Sequence, residues 1–156
     1  MAIKTNAMRL LTSAKIKFEV KEYEVDESDL SGQTLAKKIG FPEEQVFKTL
    51  VLRGEKRGII VCLVPVSSEI NLKALAKTAN DKKVEMILMK DLLPLTGYIR
   101  GGVSPIGQKK KYPTFVDSSA LLFDVISISA GVRGSQILIN PTRLINFTNA
   151  TICDII

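Results

Sequence analysis

Two β-rich runs restrict the fold more than any other feature. Val46–Leu52 (VFKTLVL) and Ile59–Val64 (IIVCLV) flank the polar tip Arg53–Gly58. Runs of β-branched and apolar residues around a short tip predict a β-hairpin. In the first run Val46, Leu50 and Leu52 share a face with Lys48, while Phe47 and Val51 take the other. Both faces of that strand are therefore expected to be covered.

The other segments do not follow a βαβ rhythm. Apolar spacing predicts helices over Ile3–Lys15, Thr34–Ile39, Asn71–Ala79, Lys90–Leu95 and Pro141–Phe147. Gly40 and Pro42 stop the second, Asn71 caps the third, Pro94 interrupts the fourth, and Pro141 sits at a tolerated first-turn position. Strands are expected at Phe18–Val25 (half exposed), Lys83–Ile87, Thr114–Asp117, Asp124–Ser129, Gln136–Asn140 and Thr151–Ile155. Asp26–Leu30 reads as an acidic loop and Gly97–Pro113 as an irregular Gly/Pro/Lys loop. Helices and strands mixed in this way imply an α+β fold around a mixed sheet or a partly closed barrel. With 156 residues, no repeat and no linker-like break, one domain spanning 1–156 is expected.

Composition then removes chemistry. The chain holds no histidine, which excludes Ser-His-Asp and Cys-His nucleophile pairs and every His-ligated metal site. Cys62 and Cys153 form no Cys-x-x-Cys, and Cys62 lies in an apolar run where a thiol acts as a small core hydrophobe. No metal or organic cofactor is expected. No apolar run approaches the roughly 18 residues of a membrane span, and Met1–Leu10 lacks a signal-peptide core, so a soluble cytoplasmic protein with no membrane partner is expected.

The 22 Lys and Arg exceed the 16 Asp and Glu by six. Residues 1–30 hold five basic and six acidic residues, leaving seventeen and ten for residues 31–156. The excess positive charge thus follows the first strand region and favours a polyanionic partner.

Three constellations are candidates for function. Lys48 sits in a covered strand, where it either snorkels to the sheet edge or serves as a fixed cation facing a phosphate, a hydroxyl or a developing oxyanion. Arg100–Lys111 (RGGVSPIGQKKK) is either a surface loop or a cradle presenting backbone N–H groups to an anion, with Arg100, Lys109, Lys110 and Lys111 alongside. Ser129–Gln136 (SAGVRGSQ) is at least a tight turn, with Gly131 and Gly134 bracketing Arg133.

Taken in order, FKTL around Lys48, KVEM at Lys83–Met86, TGY at Thr96–Tyr98, GGVSPIGQKK at Gly101–Lys110 and GVRG at Gly131–Gly134 resemble the YbaK family. Its members are free-standing editing domains that deacylate cysteinyl-tRNA(Pro), homologous to the editing insertion of bacterial prolyl-tRNA synthetase. The resemblance covers nearly the whole chain, and GGVSPIGQKK is its most specific part.

The resemblance implies a mixed, partly barrel-like sheet flanked by helices. It also implies a deacylase, lyase-type or hydrolytic, in which the substrate's own thiol attacks its ester carbonyl. Lys48 would contact the terminal adenosine or its phosphate, and the N–H groups of Gly101 and Gly102 would polarise the ester. Ser104 and Pro105 would shape the loop. Tyr23 would stand near the pocket, with Ser129, Gly131, Arg133 and Gly134 on the opposite wall. Arg100 and Lys109–Lys111 would meet the tRNA acceptor end, and prolyl-tRNA synthetase would supply tRNA identity; DNA is not an expected partner. The chain departs from the family pattern at Ser135–Gln136, which puts Gln136 on the expected pocket floor, and at Leu30, where an aromatic is expected. Two alternatives accompany this reading: a deacylase for another mischarged tRNA carrying Ala or Ser, and a regulatory protein that binds without turnover.

Overall fold

The computed structural model describes residues 4–156. Its elements, in order, are α1 (Asn6–Ser13), β1 (Phe18–Glu22), α2 (Gly32–Ile39), β2 (Phe47–Gly54), β3 (Gly58–Pro65), α3 (Leu72–Thr78), β4 (Val84–Met86), α4 (Met89–Thr96), β5 (Thr114–Asp117), β6 (Ile126–Ser129), β7 (Ser135–Ile139), α5 (Pro141–Thr148) and β8 (Thr151–Cys153). Short 3-10 turns at Glu43–Gln45 and Ser118–Leu122 were not legible in the sequence.

The β2–β3 hairpin forms in antiparallel register, Leu50 opposite Cys62, and is the centre of a five-stranded sheet ordered β4-β2-β3-β5-β8. β5 and β8 join in parallel. A second, antiparallel sheet is ordered β1-β7-β6. A parallel bridge between Val46 and Ser127 ties the two sheets together. This is the mixed, partly closed α+β arrangement expected from the sequence.

Side chains on the two faces of the hairpin feed different cores. Phe47 and Leu63 pack with Ile126, Ile128, Ile137 and Leu144, while Leu52, Ile60, Cys62 and Val64 pack with Leu75 of α3. The helices start where short polar side chains accept a first-turn N–H: Thr5, Ser31, Asn71 and Asn140. Each such cap is worth about 1 kcal/mol. α2 ends on Gly40 at φ 74°, a left-handed conformation that glycine adopts without strain.

Three expectations change in detail. Ile3, the expected start of the first helix, lies outside the described residues. β1 is an edge strand that is exposed beyond Phe18, Val20 included, because it pairs only with β7. Pro94 does not interrupt α4, which runs through it to Thr96; the one bond it forfeits leaves an acceptor on Lys90, an exposed residue at the surface. Among the described residues no helix is long and apolar enough to cross a membrane.

Candidate active site

A cavity of about 370 Å3 opens where β2 changes partners. At its start β2 is bridged to β6 through Val46, and from Leu52 onward it pairs with β4. Between these points the Phe47–Leu50 segment lines the cavity. Val51 O accepts from Ile87 N on this edge, so the two-residue period of the strand places the N–H and C=O of Thr49 on the same edge. The gap therefore exposes side chains from both faces of the strand and a stretch of its backbone.

Lys48 is half-buried at this edge, and its ammonium makes no hydrogen bond or ion pair with another described residue. Beside it, the Thr49 hydroxyl is buried without a partner among the described residues. A buried unpaired hydroxyl and a half-buried unpaired cation are costly in a folded protein unless something else satisfies them. Both are available to a polar ligand that enters the cavity.

The opposite wall comes from β6 and β7. Ser129 and Gln136 stand opposite each other in register. Gln136 Oε1 accepts from the Ser127 hydroxyl at 2.8 Å, and the Gln136 amide nitrogen has no acceptor among the described residues. Ser127 and Gln136 are fully buried, so a polar stripe replaces the isoleucines that fill the other face of these strands. Ser129 Oγ is turned back to accept from Gly131 N–H.

The third wall is the long loop after α4. Gly101 lines the cavity at φ 84°, and its N–H has no acceptor among the described residues. Gly102 does not contribute an amide, contrary to expectation: its N–H donates to Ile99 O at 2.9 Å, closing a turn. Its role is close approach, since a Cβ there would lie 3.1 Å from Val132 C and 3.2 Å from Arg133 N. Arg133 clamps the same turn from behind by donating from Nε to Arg100 O at 2.8 Å. Ser104 is buried, and its Oγ accepts from Ile106 N–H, holding the shape of the loop next to Pro105. Tyr98 OH donates to Ile106 O and packs against Gly131, where a Cβ would lie 3.0 Å from its ring.

Of the residues singled out in the sequence, Tyr23, Lys48, Arg100, Gly101, Ser129 and Gln136 line the cavity. Gly102, Ser104, Pro105, Gly131, Arg133 and Gly134 do not line it; Gly102 of the loop packs instead against Val132 and Arg133 of the β6–β7 turn. Gly134 O accepts from Tyr23 N–H at 3.0 Å, fixing the chain next to the pocket. Lys109, Lys110 and Lys111 are exposed and outside the cavity.

Sequence reasoning missed Thr49 and the contribution of α2. Asp29, Ser31, Thr34, Leu35 and Lys38 also line the cavity, with Leu30 at its mouth near Gly101. The helix-start pattern Asp29-x-Ser31-x-x-Thr34 signals a cap, but no local signal places α2 across from Lys48. Asp29 accepts from the Thr34 hydroxyl at 2.6 Å and from Ser31 N–H at 3.1 Å. The Thr34 bond first, then those from Ser31, hold its pKa down at about 2. A carboxylate so weakly basic is a poor acceptor for an alcohol proton, so the Thr34–Asp29 pair is not an activated nucleophile. Cys62 is fully buried, and burial pushes its thiol well above the usual range.

The pocket thus combines a free cation, a free backbone N–H and unpaired polar groups, without a nucleophile paired to a competent base. The family model for the aminoacyl-tRNA editing domain matches residues 29–147, and the chain belongs to that family. It is 43% identical, over 97% of its length and 93% of the relative's, to an Enterococcus faecalis protein with the provisional name Cys-tRNA(Pro)/Cys-tRNA(Cys) deacylase EbsC. It is 28% identical, over 82% of this chain and 83% of the other, to the uncharacterised Bacillus subtilis protein YwhH. Among solved structures, one described as a candidate trans-editing enzyme for prolyl-tRNA synthetase shares the fold at a TM-score of 0.80 and 23% identity, with 97% of each chain covered.

Proposed function

We propose that this protein is a trans-acting aminoacyl-tRNA deacylase that clears cysteine mischarged onto tRNA(Pro), with cysteinyl-tRNA(Cys) as a further substrate. One observation carries the reading. The cavity offers electrostatic stabilisation through Lys48 and the Gly101 N–H, yet supplies no nucleophile of its own. Such a site leaves the attack to water or to a nucleophile carried by the substrate, and a cysteinyl ester carries one.

In this mechanism the thiol sulfur bonds to the ester carbonyl carbon as the bond to the ribose oxygen breaks. The thiol proton ends on that oxygen, and cysteine leaves as a cyclic thiolactone that water later opens. The protein positions the ester and stabilises charge on the carbonyl and the leaving oxygen, two effects that supply much of an enzymatic rate enhancement. The Lys48 ammonium neutralises the adenosine end, Gly101 N–H polarises the carbonyl, and the Gln136 amide with Thr49 satisfies the polar end of the aminoacyl group. Identity of the tRNA comes from prolyl-tRNA synthetase in the cytoplasm. The basic surface of Arg100 and Lys109–Lys111 contributes salt-sensitive attraction for the acceptor end.

The test is single-turnover deacylation of cysteinyl-tRNA(Pro), with prolyl- and seryl-tRNA(Pro) as comparisons and the released amino-acid species trapped. Cysteine-selective release as a thiolactone is expected, with Lys48→Ala slower by about 10²–10³-fold, the loss typical of removing one charge-stabilising donor. Full activity of a folded Lys48→Ala variant would remove the lysine from the mechanism. Equal cleavage of seryl-tRNA would remove the thiol.

A further inference from the structure

A second groove, of about 180 Å3, opens into the pocket and runs between β2, the β4–α4 segment and Arg100–Val103. The two cavities share Thr49, Leu50, Arg100, Gly101 and Val103. The outer wall of the groove is Met86, Leu88 and Met89, which are 48%, 62% and 61% exposed. Three large apolar side chains within four positions, facing water beside a catalytic pocket, mark a binding surface.

Two cavities that share lining residues with the pocket offer a way out for the rest of a substrate chain. One passes Glu24, Asp26 and Glu27, with Lys38 bonded to Glu24 O. Hydrogen bonds from the Ser28 hydroxyl and N–H hold the Asp26 carboxyl below its usual range, so it stays ionised and repels a phosphodiester. The other route passes Arg100 and the apolar groove, beyond which Glu55, Glu85 and Asp91 are interspersed with Arg53 and Lys83, Lys83 being paired with Glu85 at 2.8 Å. A guanidinium suits a backbone phosphate. The groove is smaller than the roughly 300–1,000 Å3 of drug-sized sites, which fits one flat ring and not a helix or a folded partner.

We propose that this groove is a nucleobase subsite: it seats the base of the nucleotide that precedes the acylated terminal nucleotide, so the RNA strand leaves the pocket over the β4–α4 segment. The inference rests on the aminoacyl-tRNA reading above. The base lies on the thioethers of Met86 and Met89 and the isobutyl group of Leu88, and Arg100 meets the phosphate that links it to the terminal adenosine. Adaptable methionines suit bases of any identity. The subsite therefore adds affinity without sequence choice, which leaves tRNA identity to another component.

The methionines also provide the experiment. In protein labelled with 13C at the methionine methyl groups, Met86 and Met89 report on the groove, while Met8, 4% exposed in the core, is the internal reference. Titration with the trinucleotide CpCpA is expected to move the Met86 and Met89 signals and leave Met8 in place, whereas adenosine moves none of them. Leu88→Asp is expected to abolish the response and weaken CpCpA binding roughly tenfold, the effect of one lost base stack; 62% exposed, Leu88 can change without disturbing the core. CpCpA that fails to bind, or binds with both signals unmoved, overturns the proposal. So does a response of the two methyls to purified prolyl-tRNA synthetase and not to RNA, which would make the groove a protein-docking surface. Deacylation is scored separately on cysteinyl-tRNA(Pro). Shifts without deacylation would sink the deacylase reading and keep the RNA subsite; deacylation without shifts would do the reverse.

Discussion

Gly102→Ala tests whether the shape of the pocket is set by contact between two loops. A Cβ at this position would lie 3.1 Å from Val132 C and 3.2 Å from both Val132 Cα and Arg133 N. These are backbone atoms and cannot rotate away as a side-chain tip can. Restoring ordinary contact requires the loop after α4 and the Val132–Arg133 turn to separate by a few tenths of an ångström. Overpacking of this size costs about 1–2 kcal/mol. In a chain of this length that lowers Tm by roughly 2–8 °C. The displacement falls next to Gly101 and stretches the 2.8 Å bond from Arg133 Nε to Arg100 O. Misplacement by 1 Å costs on the order of 10²-fold in rate, so a few tenths should cost about tenfold.

The assay is single-turnover deacylation of cysteinyl-tRNA(Pro) at 25 °C beside a thermal melt. Gly58→Ala is the comparison: Gly58 has φ 74° with nothing within 4 Å of its would-be Cβ, and it ends the hairpin tip away from the pocket. Strain of roughly 1–2 kcal/mol is expected there too. The two variants should therefore melt at similar temperatures, but only Gly102→Ala should edit slowly. Wild-type editing by Gly102→Ala, or an equal loss in Gly58→Ala, would refute the contact argument.

Two further outcomes follow from the same geometry. Arg133→Lys keeps the charge but loses the Nε bond to Arg100 O, so kcat should fall several-fold with KM for tRNA little changed; a rise in KM in Arg133→Ala that Arg133→Lys restores would instead make Arg133 an RNA contact. Its ion pair with Glu27, at 3.8 Å and largely on the solvent side, contributes little. Asp29 has its pKa lowered from 3.8 to about 2, so the stability it lends to the start of α2 is full above pH 4 and drains as pH falls toward 2. Asp29→Asn should flatten that part of an acid-unfolding curve followed by circular dichroism, and an unaltered curve would show that the cap does not stabilise the fold.

Much of the fold was legible where local chemistry decides it. Asn71 and Pro141 mark helix starts because a side-chain acceptor or a missing N–H matters only at those positions. The Val46–Val64 hairpin was legible because two apolar runs around a polar tip have few other ways to be buried. β1 was misjudged because alternation reports what a strand could bury, whereas an edge position decides what it does bury. Lys48 stood out as a charge in an apolar strand, but Thr49 did not: period two assigns neighbours to opposite faces, and only the change of partner from β6 to β4 lets both line one cavity.

The same distinction separates residues that touch the ligand from those that shape its site. From the sequence, Gly102 belongs to a loop that could cradle an anion, whereas Gly131, Arg133 and Gly134 enter the expected site only through the family resemblance. In the fold, the Gly102 amide closes a turn, Gly131 makes room for the Tyr98 ring, Arg133 holds Arg100 O, and Gly134 O holds Tyr23 N–H. Their backbone freedom is used to bring two loops into contact, whereas Gly101 lines the cavity with an N–H that has no acceptor among the described residues. A histidine-free chain can work this way only if rigidity replaces reactivity. In the proposed mechanism the ester must be held still for its own thiol, so substitutions behind the wall should also slow editing, about tenfold for Gly102→Ala against about 10²–10³-fold for Lys48→Ala.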